Sequence, residues 1–235
     1  MEPTVQAQKR ILRDVKDVLK NPLANDGIYY VHDEDDMMRG YLMIQANYDS
    51  PFRHGFFFFE IYFPVDYPAH PPRMKFITGD GQMRFHPNLY TNGKVCLSIL
   101  NTWKGEQWSS SMTLRSILVT ISSLFDWNCL FMEPGIKSKS KADIFDDIVQ
   151  AKTLAVALLK ILKQQDQNIV YTSFYPIIQK YVRENREKIK NDFSLFYQEF
   201  VKTYKTSKCM FDLYPYNRSI TVDMDKIKNE LESLI

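Results

Sequence analysis

The run HPNLYTNGKVCLSIL, His86 to Leu100, sets one cysteine, Cys96, among turn-forming residues, with no histidine or lysine in the pattern of a cysteine protease. A thiol of ordinary pKa, near 8.5, is already on the order of a tenth thiolate at cytosolic pH. A cysteine hydrolase pairs its thiol with an imidazole, and no such partner stands near Cys96 in sequence, which argues against a hydrolase. A nucleophile without a base depends on access and orientation, so its sulfur is expected to be open to a reaction partner and sheltered from water.

Asn88, eight positions before the cysteine, offers a side-chain amide. A donor of this kind can stabilise the oxyanion of an acyl transfer, and losing one costs about 3 kcal/mol in enzymes that use it. A structural role, with Asn88 bonded to the loop that carries Cys96, suits the same residue, and both readings stand. His86 has no second histidine near it in sequence and reads as a structural histidine rather than a base or metal ligand. Cys129, in DWNCLFMEP, reads as a packing cysteine, and Cys209 has no chemical context. Three scattered cysteines make neither a disulfide framework nor a metal clip, so no metal is expected.

The elements that must hold these residues follow from periodicity. Residues 4–20 read as an amphipathic helix with Thr4 as cap and Ile11, Leu12, Val15, Val18 and Leu19 as its buried stripe. Its basic residues fall largely off that stripe and are expected to face outward. Gly27–His32, Gly40–Ala46, His54–Phe63 and Arg73–Thr78 are aromatic and β-branched with short polar or proline-rich breaks, which favours an antiparallel meander. Residues 79–111 carry turn chemistry and few regular elements, yet their aromatics argue for order. A helix capped by Ser111 or Thr113 follows, with Leu114, Ile117, Leu118, Ile121 and Leu124 inward. Lys137–Lys141 reads as a surface loop, Asp143–Lys163 and Thr172–Tyr204 as helices, and Asp223–Leu234 as a last helix after a loop holding Phe211, Tyr214 and Tyr216. The class is α+β with a helical C-terminal part.

Composition bounds the function. The chain has 235 residues, 45% hydrophobic and 25% charged, which suits one or two globular domains. A net charge of +2 argues against a dedicated nucleic-acid binder. The polar start MEPTVQAQKR has no secretory core, and the apolar run Phe56–Val65 is short and carries Glu60, so no membrane partner is expected. A cytoplasmic or nuclear location is the expectation.

Several features occur together: KRILRDVKDVLKNP, then FFFFEIYFPVDYPAHPP, then His86-Pro87-Asn88 with Cys96 in C-L-x-I-L at a fixed interval. This combination resembles the ubiquitin-conjugating (UBC) enzyme family over roughly residues 6–204. The resemblance implies a UBC fold: N-terminal helix, four-stranded antiparallel meander sheet, active-site loop region and C-terminal helices. It implies a core domain over 1–204 with extended helices and a C-terminal extension over 205–235. Cys96 would accept ubiquitin or a ubiquitin-like modifier as a thioester from an activating enzyme and pass it to a substrate lysine or a ligase. No cofactor is needed, because ATP is used upstream by the activating enzyme. Glu133, in FMEPG, matches the family's acid at the mouth of the site. Only about one lysine in a thousand is neutral at cytosolic pH, and a nearby carboxylate raises an amine's pKa. Glu133 is therefore read as orienting the amine and accepting its proton on attack. Tyr90 and Leu97 would line the cleft, with packing the stronger role for Leu97. Ser98 stands where relatives often carry Asp, so no acid comes from that position.

The chain also departs from the common pattern. The link SILNTWKGEQWSSS after Leu97 is long, and its W-x-G-x-x-W form is similar to the ubiquitin-conjugating enzyme Z subgroup. The family's ligase-facing loops here carry Ala69 and His70, and Trp108 and Ser109, with Ala69 in place of a frequent large aromatic. That implies an atypical ligase or direct action on substrates. Lys9, Arg10, Arg13 and Lys16 match the family's docking helix for the activating enzyme, and a merely solvated face explains the same charges. The competing function is a catalytically inactive UBC-fold scaffold that binds ubiquitin or ligases.

Overall fold

Thr4 starts the first helix: its side-chain oxygen accepts from the Ala7 N–H at 3.1 Å, and α1 runs Val5–Lys20. A computed structural model of the chain describes residues 2–163 and 169–235. Four strands follow α1: β1 Ile28–His32, β2 Arg39–Gln45, β3 Phe56–Tyr62 and β4 Arg73–Phe76. They are hydrogen-bonded in chain order, with Tyr30 opposite Leu42 and Ile61 opposite Met74, as an antiparallel meander. Short links between neighbours make this the arrangement of least loop closure. Helix α2, Leu114–Ser122, begins at a reciprocal cap in which Thr113 and Ser116 each bond the other's backbone N–H.

The chain folds as two compact units, each assembled from separate stretches. The first comprises 1–46, 57–78 and 84–125. Its core stacks Phe57 on Phe125 at 4.4 Å and sets Phe59 against Phe76 at 5.1 Å between ring centroids. Each fully buried phenylalanine stabilises the fold by about 2 kcal/mol. Ile11, Val15 and Val18 of α1 and Leu114, Ile117, Leu118 and Ile121 of α2 are buried in the same unit. The stripe of α1 differs from the expected one: Leu12 and Leu19 are 57% and 56% exposed. The inward line runs Ala7, Ile11, Asp14, Val15, Val18, so the buried stripe is turned about the helix axis away from the two leucines and takes in a charged residue at its far edge.

The second unit comprises 47–56, 79–83 and 126–235. One helical run holds α3 Lys139–Lys152, a π-helical segment Thr153–Leu159 and α4 Lys160–Lys163. Helix α5, Ile169–Tyr204, leads to a two-stranded hairpin, β5 Lys208–Asp212 with β6 Ser219–Asp223, and to α6, Met224–Leu234. Asp223 caps α6 through the Lys226 N–H at 3.0 Å. Two expectations are corrected here. The segment before α6 is a hairpin rather than a loop, and α3 begins at Lys139, inside the stretch read as a surface loop. His54 pins residues 47–56 to α5: its ring nitrogens meet the Tyr181 hydroxyl at 2.7 Å and Asp192 at 2.8 Å. Burial holds the His54 imidazole below its ordinary pKa, so it is neutral. It donates to the carboxylate and accepts from the phenol.

Candidate active site

The Cys96 loop belongs to the first unit and is closed by its own backbone. The Cys96 N–H donates to the Asn88 carbonyl at 2.9 Å, and the Asn88 side-chain amide donates to the Cys96 carbonyl. These two bonds clamp residues 88 and 96 face to face. Between them Tyr90 and Lys94 close a tight turn, with the Tyr90 N–H on the Lys94 carbonyl at 2.9 Å. Gly93 makes that turn possible: its φ is +89°, and a Cβ there would meet the Phe76 carbonyl oxygen at 2.9 Å. An amide nitrogen carries two N–H donors, so Asn88 holds the loop with one and retains a second.

His86 is fully buried, and its Nδ1 accepts from the Asn88 N–H at 2.9 Å. Burial, with the Arg84 charge beside it, pushes its pKa down to about 3, so the ring is neutral with its proton on Nε2. Pro87 is buried and its carbonyl accepts from Arg84. The Arg84 guanidinium lies 3.8 Å from the Tyr90 ring centroid, which fixes Tyr90 as a cation–π platform. Leu97 is buried, and Ser98 opens a 3₁₀ turn, Ser98–Leu100. Gly105 comes close to that turn: a Cβ on it would meet the Ser98 Cβ at 3.1 Å.

Two residues that sequence reasoning passed over organise this loop. The Thr102 hydroxyl accepts from the Leu97 N–H at 2.8 Å and donates to the Val95 carbonyl at 2.9 Å, tying both neighbours of Cys96. Asn101, at φ +56°, accepts from the Trp108 N–H at 2.9 Å through its side chain. The expectation of an open sulfur is corrected: Cys96 is 2% exposed.

The two loops expected to face a ligase are joined. The Trp108 indole N–H and the Ser110 hydroxyl both reach the Pro68 carbonyl, at 2.8 and 3.1 Å. Ala69, His70 and Ser109 are exposed, and His70 pairs with Asp66 at 2.6 Å. On α1, Lys9, Arg13 and Lys16 are exposed, but Arg10 is a correction. Only 10% of its side chain is exposed. Its guanidinium bonds Asp14 at 2.9 Å, the Ser110 carbonyl at 2.7 Å and the Met112 carbonyl. Buried Asp14 needs that cation, together with the Tyr67 hydroxyl at 2.6 Å, to offset its desolvation.

Glu133 lies in the second unit, at the end of a 3₁₀ turn, Cys129–Met132. Its N–H donates to the Leu130 carbonyl at 3.0 Å, and its carboxylate accepts from the Tyr216 hydroxyl at 3.2 Å. Asp146 of α3 accepts from the Asn128 N–H at 3.2 Å, at the start of the same turn. Burial, with Asp143 and Asp147 nearby, pushes its carboxyl up to about 7. Cys129 is buried, and burial with the Asp146 charge holds its thiol well above the ordinary range, which makes it a poor nucleophile. Among the described residues no three His, Cys, Asp or Glu side chains converge as ligands for a metal. No described helix is long and apolar enough to cross a membrane.

Comparison with known proteins gives this arrangement its context. The family model described as "Ubiquitin-conjugating enzyme" matches residues 10–154. "Ubiquitin-conjugating enzyme E2 Z" of Xenopus tropicalis is 39% identical over 166 residues, 69% of this chain and 52% of that protein. "Probable ubiquitin-conjugating enzyme protein 17" of Caenorhabditis elegans is 35% identical, over 77% of this chain and 26% of its own length. The human "Dual E2 ubiquitin-conjugating enzyme/E3 ubiquitin-protein ligase BIRC6" is 33% identical over 66% of this chain and 4% of its own. The chain spans about half the length of the E2 Z relatives it matches.

Proposed function

This chain belongs to the ubiquitin-conjugating enzyme family, and we propose that it carries ubiquitin or a ubiquitin-like modifier as a thioester on Cys96. The Cys96 thiolate attacks the acyl carbon of the thioester held by an activating enzyme and expels that enzyme's thiolate. A substrate lysine, or the cysteine of a ligase, then attacks the new thioester. When the amine attacks, Glu133 orients it and takes the proton it loses, the C–N bond forms, and the Cys96 thiolate leaves. The second N–H of Asn88 is the donor for the oxyanion between these bonds.

The observation that carries the reading is the reciprocal clamp of Asn88 and Cys96 in a loop whose one histidine, His86, is buried and neutral. It fixes the nucleophile's backbone without giving it a base, which is what a long-lived thioester needs. Because Cys96 is 2% exposed, loading requires a movement that uncovers the sulfur. The same burial favours a second reading, a UBC-fold scaffold that binds ubiquitin or ligases without accepting the modifier.

One experiment separates the two. The protein is incubated with ATP, a panel of activating enzymes and tagged modifiers, then resolved on gels with and without reductant. The carrier gives a reducible adduct that is lost in Cys96→Ala and becomes a reductant-resistant ester in Cys96→Ser. No adduct with any modifier leaves the scaffold.

A further inference from the structure

We propose that Tyr216, in the turn of the β5–β6 hairpin, is a positioning residue for transfer to lysine, acting by fixing the Glu133 carboxylate. The inference rests on the reading of Glu133 given above and adds a residue from the far end of the chain. The Tyr216 hydroxyl donates to Glu133 Oε2 at 3.2 Å across 83 positions of sequence. A glutamate on a loop has three side-chain torsions to settle, and a carboxylate that must meet an amine edge-on gains from having them settled in advance.

The phenol that does this is itself held. Its ring packs edge-on to Phe145 of α3, with centroids 6.3 Å apart and planes at 64°. Its N–H donates to the Leu213 carbonyl at 2.8 Å, and the Leu213 N–H donates to the Arg218 carbonyl at 2.6 Å, which closes the turn. Leu213 is 1% exposed and anchors it. The neighbouring Tyr214 ring lies 3.4 Å under the Lys141 ammonium of α3. Two contacts with one helix therefore seat the turn, and the Tyr216 hydroxyl meets the acid. During transfer the amine proton moves to Glu133, the C–N bond forms as the C–S bond to Cys96 breaks, and the Tyr216 proton stays on its own oxygen. The hairpin gives the C-terminal segment a part in the reaction that helix packing alone does not require.

The test uses the full chain, loaded with ubiquitin or, if ubiquitin does not load, with the modifier that the gel assay identifies. ATP is then removed, and discharge is followed over a series of free lysine concentrations. Tyr216→Phe keeps the ring on Phe145 and removes only the hydroxyl. It should load at the wild-type rate and unfold at the wild-type temperature. Its maximal discharge rate should fall about tenfold, the scale of one hydrogen bond to a charged group, with the half-saturating lysine concentration unchanged. Glu133→Ala should fall at least as far, and adding Tyr216→Phe to it should change nothing more. Wild-type discharge by Tyr216→Phe beside a slow Glu133→Ala overturns the inference, as does an additive loss in the double variant. Wild-type discharge by Glu133→Ala overturns instead the role of the acid, and failure to load with any modifier removes the carrier itself.

Discussion

The loop of Cys96 and the loop of Glu133 are built in opposite ways. In the first, the ties that flank the cysteine come from within a few residues: Asn88 to Cys96, Tyr90 to Lys94, Thr102 to Val95 and Leu97, with the Phe76 N–H of β4 reaching only the Gly93 carbonyl at the turn. In the second, local backbone bonds are joined by side chains from elsewhere in the chain: Asp146 holds its entry and Tyr216 its carboxylate. Under the proposed function, a nucleophile that keeps one backbone geometry through two acyl transfers gains from local closure. Under the same proposal, an acid that acts only when an amine arrives can depend on distant elements, and so can be tuned by them.

The contrast is sharpest in its response to pH. Asp146 is 4% exposed, and burial pushes its carboxyl up to about 7, well above the ordinary carboxylate range. The folded state therefore prefers it protonated. The stabilisation is complete below the unfolded value and is lost as pH rises through about 7. Asp146→Asn keeps an acceptor for the Asn128 N–H without the charge, so it should stabilise the second unit at pH 8 by on the order of 4 kcal/mol and do little at pH 4. Urea unfolding at the two pH values checks this, and an equal effect at both would mean that the charge is not the cause. His86 works the other way. Its folded pKa of about 3 lies below the unfolded value, so the first unit weakens as pH falls from 6.5 toward 3. His54 gives the second unit an acid-side loss of the same sign.

Next in size is Asn88→Ala. Removing the amide should slow discharge to free lysine by about 100-fold, the loss of one donor to an oxyanion. The Cys96 N–H bond to the Asn88 carbonyl survives the change. Normal discharge with a looser loop, read by faster alkylation of Cys96, would confine Asn88 to holding the backbone. The smallest effect is expected from Thr102→Val, which deletes the hydroxyl ties on either side of the cysteine. It should cost about 1 kcal/mol and raise the alkylation rate of Cys96 but not of Cys129. An unchanged Cys96 rate would show that the local ties do not govern its cover.

The same difference explains what could be read from the residues alone. The four strands and their order were legible because each one's partner is the next in the chain. Asn88 and Cys96 were legible because their spacing is the clamp. Nothing in sequence links Glu133 to Tyr216, or Asn128 to Asp146, since those pairs exist only after α3 and the hairpin have packed. The hairpin itself was read as a loop because no residue of β5 is fully buried, and its apolar face rests on two short-spaced residues of β6, Ile220 and Val222. Lys137–Lys141 was read as a loop for a similar reason, as polar residues without periodicity. Leu12 and Leu19 misled because they lie one residue past the true inward line, where Asp14 is buried at 3% exposure with Arg10. A buried ion pair leaves no hydrophobic trace.

That ion pair has a mechanical side. Arg10 grips the carbonyls of Ser110 and Met112, while Asp14 takes the Tyr67 hydroxyl and the Leu114 N–H. The opening helix, with Lys9, Arg13 and Lys16 on its exposed side, is thus tied to both exposed loops, the one carrying Ala69 and His70 and the one carrying Ser109.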